Sequence, residues 1–121
     1  MNWSKISIAA AVVALSLSAG AVGYYKGRES VPRLTVKLDN ARVTVTESST
    51  PAGARREPYT RPTDQLPVFI DAADYEATDA DGKATVRHRN AGEIVWHSKG
   101  EAAPLLVNKG KTYRNMIIAF K

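Results

Sequence analysis

The chain has 121 residues and a mass of 13.1 kDa, which is room for one domain. It contains no cysteine and only two histidines, His88 and His97. This excludes a disulfide framework, thiolate metal sites, a covalent c-type haem and a thiol nucleophile, and it leaves little for a site built from imidazoles. Lys and Arg number 17 against 12 Asp and Glu, a net charge of +5, and the 44% of apolar residues can support a small core.

From Ile6 to Tyr25 runs an uncharged stretch, ISIAAAVVALSLSAGAVGYY. At about 1.5 Å per residue, a helix of this length spans roughly 30 Å, the thickness of a bilayer's hydrocarbon core. Lys5 precedes the run, Lys26 and Arg28 close it, and Trp3 and Tyr24–Tyr25 sit where interfacial aromatics lie. The expectation is a single-pass N-terminal anchor over residues 1–25 that contacts the lipid bilayer. The competing reading is a cleaved secretory signal, with Lys5 in the positive n-region and Ala19-Gly20-Ala21 as the cleavage site. Both carry the remainder to the periplasm or cell envelope, either tethered there or released after cleavage near Ala21. The positive charges on the two flanks favour a cytoplasmic C-terminal part, whereas the extreme N-terminal position favours export.

Residues 26–33, KGRESVPR, read as a juxtamembrane linker, and residues 34–121 as the folded domain. The pattern from Leu34 onward is β throughout. Leu34, Val36 and Leu38 alternate with polar residues, and so do Val43 and Val45, with a turn at Asp39-Asn40. A polar, proline-bearing loop follows over residues 48–67, then Val68-Phe69-Ile70 and a strand around Tyr75. Asp79-Ala80-Asp81-Gly82-Lys83 is a hairpin signal, because Asp-Gly supplies the positive φ that a tight turn needs. Thr85-Val86-Arg87, Ile94-Val95-Trp96, Leu105-Leu106-Val107 and the run from Met116 to Phe120 complete eight strands, the spacing of a sandwich or barrel. No arginine and lysine stripe alternates with aromatics, so nucleic acid is not an expected partner.

The C-terminal two-thirds resembles a small single-domain cupin. That family's first motif runs G-x5-H-x-H-x3-E-x6-G, and from Gly53 its spacing lands on Tyr59, Arg61, Gln65 and Ala72. The second runs G-x5-P-x-G-x2-H-x3-N. From Gly92 it lands on Ser98, Gly100, Ala103 and Val107, with Asn108 one place late. The closing segment AGEIVWHSKGEAAPLLVNKGKTYRNMIIAF carries the likeness most strongly: a strand opened by glycine, a turn, an apolar strand ending in Asn, a Lys-Gly turn and a last apolar strand. The resemblance implies an all-β fold, a double-stranded β-helix or jelly-roll barrel, often dimeric, with a pocket in its mouth.

In the family, three histidines and a glutamate hold a divalent metal in that pocket. Here the four positions carry Tyr59, Arg61, Gln65 and Ala103. Alanine has no donor, a neutral amide is weak and guanidinium is a permanent cation, so no metal or other cofactor is expected. A fixed arginine can instead receive an anion through a planar pair of hydrogen bonds. Tyr59, Arg61, Gln65 and His97 are therefore the candidate residues of a site for a small acidic ligand. The plainer alternative pairs Arg61 with Asp64 or Glu57, or leaves it in solvent, and makes His97 an ordinary strand-end histidine. His88, between two arginines, reads as exposed and hard to protonate, and Trp96 reads as a core anchor. The role expected is a membrane-anchored or exported binding or structural module, without catalytic residues. The alternatives are an atypical cupin enzyme acting on a small acidic ligand through Tyr59, Arg61 and His97, or an accessory subunit whose small-residue anchor packs against other membrane proteins.

Overall fold

The computed structural model describes residues 31–121, so the expected anchor and the cleavage site near Ala21 lie outside the described residues. Ten strands are assigned, and no helix occurs among the described residues. They are β1 (Arg33–Asp39), β2 (Val43–Thr50), β3 (Arg55–Arg56), β4 (Tyr59–Thr60), β5 (Gln65–Phe69), β6 (Ala73–Thr78), β7 (Ala84–Arg89), β8 (Ala102–Ala103), β9 (Leu105–Asn108) and β10 (Tyr113–Phe120). One sheet runs β1-β2-β10-β5, a second β3-β9-β6-β7, and β4 pairs with β8 in a small third one. All pairings are antiparallel. The arrangement is a jelly-roll barrel, the all-β class expected.

Side-chain parity decides what faces inward. Ser48 lies opposite Asn115 and Thr46 opposite Ile117, while Phe69 and Pro67 of β5 meet the same two β10 residues. These residues share the face that closes on the second sheet. The core there is small: Phe69, Ala73, Tyr75, Ala77, Leu106 and Tyr113, with Val95 packed against it. Tyr113 holds it together, its ring 5.9 Å from Phe69 and 6.3 Å from Tyr75. The other face of the first sheet carries Val43, Val45, Leu66, Val68, Met116, Ile118 and Phe120, so the more apolar side of this sheet is its outer one. A register shift between Val36 and Leu38 turns Leu38 onto that outer face as well.

The hairpin between β6 and β7 forms where the sequence marks it. Asp79 Oδ1 accepts from the amides of Asp81 and Lys83 at 3.0 and 2.9 Å, and Gly82 adopts a φ of 83°. No atom lies within 4 Å of where a Cβ on Gly82 would sit. Gly82→Ala is therefore expected to cost roughly 1 kcal/mol from the backbone alone, read as a lower urea midpoint.

Three expectations need correction. The segment 48–67 is not one loop, since it holds the end of β2, both short strands β3 and β4, and the start of β5. These two-residue strands exist through pairing with β9 and β8, some fifty residues on, which local patterning does not register. Ile94-Val95-Trp96 is not a regular strand either. Only isolated bridges, Val68 to Ile94 and Gln65 to His97, tie it to β5. Between them the Val95 amide donates to the Pro67 carbonyl at 3.0 Å, but Pro67 has no N–H to return, and the ladder breaks. Trp96 is no core anchor. Val95 packs against the core while Trp96 points the other way, 53% exposed, with its ring 5.8 Å from Phe120.

Candidate functional site

A cavity of about 130 Å³ lies between the two main sheets. An engineered protein cavity of about 150 Å³ holds a benzene molecule, which sets the scale of what fits. Phe69, Tyr75, Leu106, Tyr113 and Ile117 give it apolar walls, and Val31, Pro32 and Leu34 complete the wall ahead of and along β1. The four sequence candidates, Tyr59, Arg61, Gln65 and His97, all line it.

Short β-pairing places them. Tyr59 and Thr60 pair with Ala103 and Ala102. The ladder then continues irregularly, the Arg61 amide donating to the Glu101 carbonyl at 2.9 Å and the Gly100 amide to the Arg61 carbonyl at 2.8 Å. Gln65 and His97 exchange backbone hydrogen bonds of 2.8 and 2.9 Å. The backbone thus fixes Arg61 and Gln65 on one side and Glu101 and His97 on the other.

The Arg61 side chain is only 5% exposed. Its Nη1 donates to the Tyr59 hydroxyl at 3.3 Å and to Gln65 Oε1 at 3.2 Å, and its guanidinium carbon lies 5.7 Å from the centre of the Tyr59 ring. Neither Asp64 nor Glu57 neutralises it, since Asp64 accepts from the Lys99 amide and Glu57 from Arg55 Nε. The nearest carboxylate is Glu101, whose Oε2 is 3.4 Å from Arg61 Nε yet not hydrogen-bonded to it. That oxygen is taken by His97 Nδ1 at 2.7 Å. Nε of Arg61 is consequently a buried donor with no hydrogen-bond partner, and Nη2 makes no hydrogen bond among the described residues either.

Arg56 repeats the pattern, and sequence reasoning did not single it out. It lies opposite Leu106 on β3, and so on the inward face. Nη2 donates to the Pro104 carbonyl at 2.8 Å, Nε is buried without a partner, and the guanidinium lies 5.4 Å from the centre of the Tyr59 ring on which Arg61 also rests. Burial pulls the Arg56 pKa down, with the Arg61 charge adding to it and Tyr59 opposing. Because guanidinium does not give up its proton in proteins, that direction records a charge confined with too little compensation. No local pattern marks Arg56, which is five residues from Arg61 and so out of step with it in a period-2 reading; its inward placement comes from the pairing of β3 with β9.

The two histidines shift in opposite directions. Burial and the Arg61 charge push His97 below the ordinary value of 6.5, outweighing the bond to Glu101. His88 is exposed, as expected, but it is raised above 6.5 rather than hard to protonate. Asp74 across the β6–β7 pair accepts from its Nδ1 at 2.6 Å, and Asn90 holds Nε2. The unfolded chain therefore takes up the His97 proton first as pH falls through 6.5, and that histidine's contribution to stability is lost. The His88 contribution is complete below 6.5 and lost as pH rises through its higher folded value. Proton NMR should resolve two imidazole titrations on either side of 6.5, with His97→Gln removing the lower. A single midpoint near 6.5 would contradict both shifts.

The metal expected of this fold finds no suitable donors here. The Tyr59 hydroxyl and the Gln65 carbonyl already accept from Arg61, a cation occupies the third position, and Ala103 offers nothing. Among the described residues no group of three His, Asp or Glu side chains converges elsewhere.

No family model matches the sequence, and no curated protein matches it. Solved structures do. A cupin domain from Bordetella pertussis aligns with a TM-score of 0.68 at 21% identity, covering 75% of this chain and 94% of that one. An RmlC-like cupin from Desulfovibrio desulfuricans gives 0.58 at 11% identity over 77% and 86% of the two chains. The polyketide cyclase RemF from Streptomyces resistomycificus gives 0.61 at 16% identity over 77% and 69%. At such identities the likeness is one of architecture, and on it the described part of this chain has the cupin fold.

Proposed function

We propose that the barrel is a receptor for a small organic carboxylate, held at a membrane surface by its N-terminal segment and without catalytic action on what it binds. One observation carries this reading. Two guanidinium groups, Arg56 and Arg61, are confined beside an apolar cavity with no carboxylate hydrogen-bonded to either. A buried charge is tolerated when it is paired, and a carboxylate entering the cavity would accept from the unengaged Nη atoms while its hydrocarbon part met Phe69, Leu106 and Ile117. Titration calorimetry of the full chain with butyrate and with 1-butanol tests this. Butyrate should bind one per chain and at least about tenfold more tightly, the worth of one charge-assisted hydrogen bond. Equal affinity for the neutral alcohol would end the receptor reading.

An enzymatic reading has one observation in its favour. His97, oriented by Glu101 and held neutral near pH 7, stands beside the same cavity, where it could act as a base. Proton NMR of a bound acid that changes over time with wild-type protein, but not with His97→Gln, would support it over simple binding. The tether is tested by the intact mass of the chain from membranes, since loss of residues 1–21 would mean release. The apolar outer face of the first sheet is our choice for contact with a second copy, and Ile118→Asp should then lower the mass seen in sedimentation equilibrium.

A further inference from the structure

Beyond Arg56, Arg61 and the Glu57-paired Arg55, the cavity has a fourth cation. Arg87 of β7 lies directly opposite Tyr75 of β6, so their side chains share the inward face, and both line the cavity. Arg89, two residues on along that face, is fully engaged: its Nε donates to the Tyr75 hydroxyl at 3.1 Å and its Nη1 to Glu93 at 2.7 Å. Arg87 is exposed, and its side chain makes no hydrogen bond or ion pair among the described residues. The lining contains one carboxylate, Glu57, and Arg55 has it at 2.6 Å. Arg56, Arg61 and Arg87 are thus left with a single acidic neighbour, Glu101, which serves His97.

These cations form two stations. Arg56 is on β3 and Arg87 on β7, the opposite edges of one four-stranded sheet. Three strand spacings of about 4.8 Å separate the edges, Arg87 lies two residues along from the level of Arg56, and both side chains line the cavity. A short chain with a charge at each end suits both stations, whereas a monocarboxylate satisfies only the inner one. We infer that the ligand is a short dicarboxylate, one carboxylate held by Arg56 and Arg61 and the other by Arg87, which makes Arg87 the specificity residue at the cavity's rim. This rests on the receptor reading above and narrows it.

Succinate and butyrate have the same carbon count and differ in charge, and inorganic phosphate is a compact anion of similar charge. Calorimetry on the full chain at pH 7 should rank succinate about fivefold above butyrate, the upper range for a solvent-exposed ion pair. The advantage should shrink as salt is raised from 20 to about 500 mM, and Arg87→Gln should bring the ratio close to one. Butyrate bound as tightly as succinate, or an unchanged ratio in Arg87→Gln, would overturn the assignment of Arg87 and leave the receptor reading intact. Phosphate bound as tightly as succinate would overturn the dicarboxylate class. Binding of none of the three would overturn both readings.

Discussion

Asn108→Ala is expected to lower stability by about 3 kcal/mol, since two amide hydrogens and one accepted hydrogen bond, at roughly 1 kcal/mol each, are lost with it. Asn108 is 2% exposed and its amide closes three chain segments. Nδ2 shares its two hydrogens among the carbonyls of Thr50 and Pro51, each at 3.0 Å, and of Lys111 at 2.9 Å, while Oδ1 accepts from the Gly110 amide at 2.9 Å. The end of β2, the turn after it and the turn before β10 are joined by this one side chain. Alanine removes these donors, leaving the Pro51 carbonyl with the Ala54 amide alone, and opens a void. Asn108→Asp should be no better, because it points a carboxylate oxygen at three carbonyl oxygens. Urea denaturation followed by tryptophan fluorescence checks both. A loss under 1 kcal/mol for either would show that water replaces the amide freely.

Arg61→Met is the second large effect, and its two readouts are expected to part company. Butyrate affinity should fall about 100-fold, the worth of two charge-assisted hydrogen bonds, while the urea midpoint holds or rises. The guanidinium is nearly sealed from solvent, with Nε making no hydrogen bond and its closest carboxylate, 3.4 Å away, hydrogen-bonded to His97. Replacing such a charge by an apolar side chain of similar length commonly leaves stability unchanged or improved. A site that trades stability for binding behaves this way. Arg61→Lys keeps the charge without the planar fork and should lose an intermediate amount. If Arg61→Met unfolds the chain while Arg61→Lys binds butyrate as well as wild type, the arginine is a structural prop and not a receptor.

What the sequence made legible divides along chain distance. The β6–β7 hairpin was readable because Asp79 and Gly82 determine it within five residues. The long strands were readable because alternation over six to eight residues is a strong period-2 signal. Arg56 was not, because β3 is two residues long and exists only through Val107 and Leu106 on β9. Trp96 was misplaced because its neighbours Ile94 and Val95 suggested burial, whereas in an extended segment adjacent residues face opposite ways. Tyr59, Arg61, Gln65 and Ala103 were found through motif spacing, which works because the short β4–β8 pairing fixes where those positions lie. His88 was misjudged from its sequence neighbours, since the group that governs it, Asp74, is fourteen positions away across a strand pair.

The barrel's wall also has a practical side. Val31 and Pro32 precede β1 and still enclose part of the cavity. Trimming the gene to begin at the first strand would therefore strip away a panel of the chamber while leaving every sheet in place. Such a fragment would melt much like its parent and yet give misleading dissociation constants, so an expression boundary drawn from strand limits alone would silently alter the measurement it was meant to simplify.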